Sequence, residues 1–242
     1  MKPPGRHRLR LLRARMLSPS VRSLTFDAGE SPFAYRSGQW MNLYVPTPRG
    51  LVMRRPYSVA SAPNHAGPNQ LDFAVTRVPE GPTSNALHDL GEGAVVEADA
   101  AGGGWLGRRD DERTLPALYV ATGSGLAPFR GLLQEELAQP NGPPVRLLFG
   151  CRTQADILWR DELERWDKDV PRFSLTVTLS RPDGDWRRAT GYVQTHVASL
   201  VARLRPGVVL LCGLSPMTHA VERTLLAEGV DGARIRTEAY DA

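Results

Sequence analysis

Leu118-Tyr119-Val120-Ala121-Thr122-Gly123-Ser124-Gly125-Leu126-Ala127-Pro128 runs from an apolar stretch, through a glycine turn, into a segment with helical spacing. The apolar stretch reads as a strand buried on both faces. Beyond Pro128, the residues Phe129, Leu132, Leu133 and Leu137 fall on one face of a helix. Strand, turn and helix in that order offer an anion free N–H groups and the positive end of a helix dipole, and glycines let the backbone approach a pyrophosphate. Pro128 costs nothing there, because the first turn has N–H groups without helical partners. Taken alone, a two-glycine turn serves a plain tight turn as well as a nucleotide site.

The same alternation recurs downstream. Val145 to Phe149 precedes a segment rich in helix formers, and Phe173 to Leu179 precedes a helical pattern over Tyr192 to Leu204. Val208 to Cys212 precedes a helix with Met217, Val221, Thr224 and Leu225 on one face. Repeated strand, turn and helix predict a parallel sheet covered on both sides, with ligands at the carboxyl ends of its strands. Upstream the pattern differs: Val21 to Phe26, Trp40 to Val45, Tyr57 to Ala60, Leu71 to Val78 and Ala94 to Ala98 are short and bounded by turn residues. They predict a small antiparallel barrel or sandwich. The charged stretch Gly107 to Pro116 reads as the linker, dividing the chain into a barrel domain over 1–110 and an α/β domain over 111–242.

Bulk properties narrow the function. The chain has 242 residues, 41% hydrophobic and 23% charged, the composition of a globular protein with a proper core. No apolar run approaches the roughly 18 residues of a membrane span, and no apolar core follows the basic N-terminus, so a cytoplasmic protein without a membrane span is expected. Cys151 and Cys212 are the only cysteines, too few for a disulfide framework or for the thiolates of an iron–sulfur cluster. The five histidines lack the spacing of a helical metal pair, and no metal is assigned. The net charge of +4 is mild and concentrated in the first residues, which does not indicate nucleic acid. That arm, with Lys2, Arg6, Arg8, Arg10, Arg13 and Arg15, is expected to be a solvated basic tail, the other reading being a dock for an acidic protein.

Three further segments bear chemistry. Arg54-Arg55-Pro56-Tyr57-Ser58 places a cation, an aromatic ring and a hydroxyl along one extended segment, with Arg55 and Tyr57 on one face and Ser58 on the other unless the strand bends. An ordinary strand with a surface arginine and a packed tyrosine has the same spacing. Gly81-Pro82-Thr83-Ser84-Asn85-Ala86-Leu87 predicts a helix start capped by Ser or Thr, a second anion site or simply a capped helix. Cys212-Gly213-Leu214-Ser215-Pro216-Met217 ends the last buried strand on the same edge as the first loop, so the two loops would face one ligand, although a buried inert cysteine also fits.

Taken in order, these motifs carry more. Arg-x-Tyr-Ser at 55–58, Gly-x-x-Ser-x-x-Leu at 81–87, Thr-Gly-x-Gly-x-Ala-Pro at 122–128, Phe-Gly-x-Arg at 149–152 followed by Asp156 and Glu162, and Cys-Gly-Leu at 212–214 together resemble the ferredoxin–NADP reductase superfamily, in its bacterial form without an iron–sulfur domain. The resemblance extends from Arg10 to Tyr240. It implies a Greek-key barrel for FAD, a five-stranded parallel domain for NADP or NAD, and a cleft where the two rings meet. By the same resemblance Arg55 and Pro56 lie at the FAD pyrophosphate, Tyr57 packs on the isoalloxazine, Ser58 bonds near flavin N5, and Gly81, Thr83 and Ser84 hold the pyrophosphate. Thr122, Gly123, Ser124 and Gly125 cradle the nicotinamide nucleotide, with Arg152, Ser180 and Arg181 toward its adenosine end and Cys212, Gly213 and Met217 toward the nicotinamide. Ser58, Cys212 and Glu238 are the expected catalytic residues, and Tyr240 covers the flavin ring. Plant-type members end at that tyrosine, whereas Asp241 and Ala242 follow here; Trp105 receives no role.

The implied activity is hydride transfer between NAD(P)H and bound FAD, with electrons passed to a ferredoxin, a flavodoxin or another redox protein by a monomeric enzyme. A reductase component of an oxygenase system, free-flavin reduction, or an electron-transfer subunit of a larger complex are the other readings. NADPH is favoured by Arg181, Arg187 and Arg188 and by Tyr192-Val193-Gln194, while Asp183 and Asp185 in the same loop would repel a phosphate.

Overall fold

The computed structural model describes residues 6–29, 33–47, 50–102 and 106–240; Trp105, Asp241 and Ala242 lie outside them. The chain forms two compact units, one of Met1–Trp105 with Ala127–Glu135 and one of Leu106–Leu126 with Glu136–Ala242. Among the described residues, no helix is long and apolar enough to cross a membrane.

The first unit is an antiparallel six-stranded sheet. Its strands are β1 (His7–Met16), β2 (Val21–Asp27), β3 (Trp40–Pro46), β4 (Val52–Ser58), β5 (Gln70–Thr76) and β6 (Val95–Ala98), in the order β4-β3-β6-β1-β2-β5. The sheet curls until its two edges meet: Val59, just past β4, bridges to Phe73 of β5, and the N–H of Ala60 donates to the carbonyl of Asp72 at 2.7 Å. Closure at this seam covers part of the two edges. The interior is filled by Leu9, Leu11, Leu24, Phe26, Met41, Leu43, Leu71 and Phe73, all fully buried, and each contributes about 1.5–3 kcal/mol over an exposed position. Helix α1 (Pro82–Asp89) adds Leu87 to this core. Its carboxyl end is held by Arg22, whose guanidinium donates to the carbonyls of His88 and Leu90, where a cation also meets the negative end of the helix dipole.

The second unit has a parallel sheet of β7 (Ala117–Thr122), β8 (Val145–Cys151), β9 (Phe173–Leu179), β10 (Val208–Leu214) and β11 (Ile235–Tyr240) in the order β11-β10-β7-β8-β9. Helices α2 (Leu126–Ala138), α3 (Arg160–Asp169), α4 (Gln194–Leu204) and α5 (Ser215–Ala227) connect the strands. On one face Leu118, Val120, Leu148, Val209 and Leu211 pack with Val197, Val201, Val221 and Leu225 of α4 and α5. Strands buried on both faces read as the continuous apolar runs seen in the sequence.

Three expectations are corrected. The N-terminal stretch is no solvated tail: from His7 it is β1, paired with β2 on one side and β6 on the other. Leu9 and Leu11 point into the core while Arg8, Arg10, Arg13 and Arg15 are exposed, because successive side chains of a strand face opposite ways. The strand expected over Tyr57 to Ala60 begins earlier, at Val52, and holds Pro56 at the edge of the strand order, where a missing N–H breaks no ladder. The stretch Gly107 to Pro116 is anchored rather than loose. Arg108 is buried, ion-paired with Glu136, and donates to the carbonyls of Glu112 and Leu115, while buried Glu112 pairs with Arg236 of β11.

Burial raises the pKa of Glu112, but its bonds from Arg236 and from the N–H of Arg109 at 2.8 Å outweigh this and hold the carboxyl below its ordinary 4.5. A carboxyl depressed on folding stabilises the protein above the unfolded pKa, and that contribution is lost as pH falls through the folded one. Glu112→Gln is therefore expected to cost about 2 kcal/mol at pH 7. In thermal melts across pH the gap to the parent narrows once the pH drops below 4.5; a gap of constant width would show that the charge is immaterial.

Candidate functional site

The parallel sheet reverses direction between β7 and β10. From β7 the chain steps to β8 and β9 on one side, then returns through α4 to β10 on the other, and in such sheets ligands bind outside the carboxyl ends at that reversal. Thr122, Gly123, Ser124, Gly125, Cys212 and Gly213 all lie at this point, with Cys212 beside Ala121 in the strand register. Gly123–Gly125 forms a short 3₁₀ turn before α2, and no side chain caps the helix. Gly123 has φ +53 and open space around the position of a Cβ, so its backbone is approachable from outside. Gly125 serves a different end: a Cβ there would fall 2.4 Å from the carbonyl oxygen of Cys212. Its lack of a side chain lets the two loops touch. Met217, in the first turn of α5, and Thr122 both flank Gly213.

Parallel pairing with β11 brings two more of the expected residues to the same edge, since Cys212 is opposite Glu238 and Leu214 opposite Tyr240. Cys212 is fully buried, and its thiol is pushed far up by burial, then by the Glu238 carboxylate, with a hydrogen bond from Tyr240 working the other way. It is a neutral thiol at any ordinary pH. Arg152, Ser180 and Arg181 gather at the ends of β8 and β9, where the N–H of Arg181 donates to the carbonyl of Arg152 at 2.9 Å and that of Ser180 to Cys151 at 3.0 Å. Both arginines are exposed, and among the described residues neither has a carboxylate partner. Asp183 and Asp185 instead accept from Gln154, at 3.2 Å through its backbone N–H and 3.4 Å through its amide. Arg188 is taken by Glu164 and by the ring of Trp186.

In the first unit, Ser58 is buried at the end of β4 opposite Trp40, just before the seam that closes the barrel. Tyr57 lies opposite Met41 and packs on the barrel core, and burial pushes its hydroxyl up to about 12 against the pull of Arg55. Arg55 and Pro56 are exposed, and Arg55 donates to the carbonyl of Arg54 at 2.9 Å. The expected Ser or Thr cap of α1 is absent. Gly81 is the N-cap, and the Ser84 hydroxyl closes the preceding turn by accepting from Val78 N–H at 3.1 Å and donating to Gly81 carbonyl at 3.2 Å. Thr83 is 4% exposed and its hydroxyl has no partner among the described residues. A buried orphan hydroxyl in the first turn of an uncapped helix fits a bound phosphate oxygen, because both lack only an acceptor. Ser58 thus belongs to the first unit, and Cys212 and Glu238 to the second. Among the described residues, no cluster of three or more His, Cys, Asp or Glu side chains has the geometry to hold a metal ion.

Sequence reasoning missed Asp72, Arg130 and Gln134, all buried and polar. The signal was a carboxylate between Leu71 and Phe73 in a strand, a position whose outward face has to be solvated or paired.

Burial, and then Asp156, raises the Cys151 thiol to about 12. With both thiols protonated, the native protein should show no fast-reacting thiol toward a disulfide reagent at pH 8 and two after unfolding; rapid native labelling mapped to Cys212 would contradict its burial.

Comparison with known proteins agrees with this geometry. Residues 8–105 match the model of the oxidoreductase FAD-binding domain and residues 119–223 that of the oxidoreductase NAD-binding domain. The chain is 39% identical over 240 residues to ferredoxin–NADP reductase B of Sorangium cellulosum (strain So ce56), covering 96% of each protein. It is 29% identical to the anthranilate 1,2-dioxygenase electron transfer component of Acinetobacter baylyi over 93% of this chain, but spans only 64% of that relative. The flavohem-like FAD/NAD-binding domain of nitric oxide dioxygenase from Vibrio cholerae O1 biovar El Tor superposes with a TM-score of 0.85 at 22% identity, covering 98% of this chain and 99% of that one, which speaks to the fold alone. The chain therefore belongs to the ferredoxin–NADP reductase superfamily, as an oxidoreductase that moves electrons from NAD(P)H by way of FAD.

Proposed function

We propose that the chain is a monomeric, cytoplasmic reductase that delivers electrons from NADPH to a ferredoxin or flavodoxin, with FAD in a domain over 1–110 and the nucleotide in a domain over 111–242. The observation that carries this is the uncapped glycine turn Gly123–Gly125 set against the Cys212 carbonyl at the reversal of the parallel sheet. When bound, FAD supplies the chemistry, taking a hydride from nicotinamide and releasing electrons to an acceptor. The protein's part is binding, orientation and exclusion of water. Thr83, Gly81 and Ser84 at the start of α1, with Arg55 and Pro56 on β4, would hold the FAD pyrophosphate; Tyr57 would support the ring and Ser58 would donate near N5. Thr122, Gly123, Ser124 and Gly125 would cradle the nucleotide pyrophosphate with N–H groups. Cys212, Gly213 and Met217 would form the nicotinamide floor; Glu238 and Tyr240 keep the roles the resemblance implies, a catalytic carboxylate and a cover for the flavin ring. Cys212 acts there as a compact neutral wall, since a protonated buried thiol is neither nucleophile nor electron relay. The acceptor's redox group is proposed to lie outside these 242 residues, whose two cysteines cannot ligate a cluster. An oxygenase reductase component is the second reading, favoured by the likeness to the Acinetobacter baylyi electron transfer component.

The purified protein should be yellow and bleach with NADPH alone. In anaerobic stopped flow at saturating nucleotide, Ser58→Ala and Cys212→Ala are expected to slow flavin reduction by about 10- to 100-fold; unchanged rates would remove both residues from the site. A colourless protein that stays colourless after incubation with FAD would end the proposal.

The lean to NADPH rests on Arg152 and Arg181, exposed side by side and not engaged by a carboxylate among the described residues, while Gln154 ties down the nearby acidic loop. Arg181→Ala should raise the KM for NADPH about tenfold, the worth of one charged hydrogen bond, and leave NADH untouched. Equal effects on both nucleotides would place Arg181 elsewhere.

A further inference from the structure

We propose that Arg130 of α2 is a positioning residue for the flavin-facing segment of the barrel, acting with Gly131 and Gln134 beside it. The inference rests on the assignment of Ser58 to the flavin. The segment in question is Val59 to Ala62, which follows Ser58 directly and crosses the seam between β4 and β5. Past Val59 it leaves the ladder, so its backbone groups need other partners.

They find them on one face of α2. Arg130, 8% exposed, donates from Nη1 to the carbonyl of Ala60 at 2.9 Å and to Oδ2 of Asp72 at 2.9 Å. Oε1 of Gln134, also buried, accepts from the N–H of Ala62 at 2.8 Å. Gly131 lies between them, and a Cβ on it would fall 2.8 Å from the carbonyl oxygen of Ser61. Two consecutive peptide units, joining 60 to 61 and 61 to 62, are thus held against three residues of one helix. Asp72 completes the arrangement: its Oδ1 accepts from Thr25 at 2.6 Å, its carbonyl accepts from Ala60 and its N–H donates to the Ser61 hydroxyl at 3.1 Å, which in turn meets the Tyr35 hydroxyl at 3.2 Å.

Stability alone does not call for this construction. Two charges taken out of water cost several kcal/mol of desolvation, and well-packed apolar residues often serve a core as well or better. What a buried, fully bonded ion pair adds is direction, because each bond fixes an angle as well as a distance. The object fixed is the carbonyl of Ala60, two residues from Ser58. Arg130, Gly131 and Gln134 belong to the same unit as Ala60 and Asp72, so the grip is made within the barrel's own unit.

The experiment uses the FAD-loaded protein and compares Arg130→Met, Arg130→Lys and Gly131→Ala with the parent and with Ser58→Ala, reading visible circular dichroism of the flavin, the rate of flavin reduction and nucleotide affinity. Arg130→Met should retain FAD, alter the flavin dichroism in the same sense as Ser58→Ala, and slow reduction by about fivefold or more with nucleotide affinity within about twofold, as a misplaced reacting group does. Arg130→Lys should recover part of the rate, since an ammonium keeps the charge and the donors but not the planar geometry of the guanidinium. Parent-like dichroism and rate in Arg130→Met would overturn the proposal. If that variant loses FAD or unfolds, Gly131→Ala decides: it keeps the ion pair and only presses on the Ser61 carbonyl, so an altered flavin spectrum supports the positioning role and an unaltered one refutes it. If Ser58→Ala itself leaves spectrum and rate unchanged, the flavin assignment fails and takes this inference with it, an outcome separable from failure at Arg130 alone.

Discussion

The carbonyl of Cys212 occupies the space where any side chain on Gly125 would lie. That one approach, between the end of β10 and the turn after β7, requires the parallel pairing of the two strands, the reversal of the chain across the sheet and the entry angle of α2. It also decides which atoms are available to a ligand. With Gly125 committed to the Cys212 carbonyl, the open backbone of the turn is that of Gly123, while the Cys212 thiol stays buried and neutral. Any side chain at residue 125 would force the two loops apart.

The barrel obeys a comparable constraint in polar form. Its seam at Val59 and Ala60 joins two strands far apart in the sheet order, and the peptide groups beyond it cannot all be satisfied by a ladder. Helix α1 shows the reverse condition, with the Thr83 hydroxyl buried and without a partner among the described residues. A native fold rarely leaves a buried donor unpaired, and that hydroxyl is the one such group in α1 among the described residues.

Much of this was legible in the sequence, and the limits were physical. The parallel half announced itself because strands buried on both faces are continuously apolar and their helices have a period of their own; Leu118 to Ala121 and Val208 to Cys212 fall inside β7 and β10. The fifth strand, β11, has half-buried residues alternating with exposed ones and came only with the family resemblance. The arginines of β1 hid an equally regular alternation, with Leu9 and Leu11 between charges that suggested a tail. Asp72 and Arg130 were illegible because neither means anything until the fold places them together. Reading Ser84 as a helix cap failed for a local reason: its hydroxyl found Val78 and Gly81 in the turn before the helix.

The place of β1 inside the sheet bears on how the barrel is made. His7 pairs with Ala98, roughly ninety residues downstream, so one edge of the first strand stays unsatisfied until β6 has left the ribosome, a long-range contact of the kind that slows assembly. During that interval Leu9 and Leu11 have a hairpin with β2 but no closed interior. The arginines that alternate with them give the waiting edge a charge that discourages pairing between nascent chains.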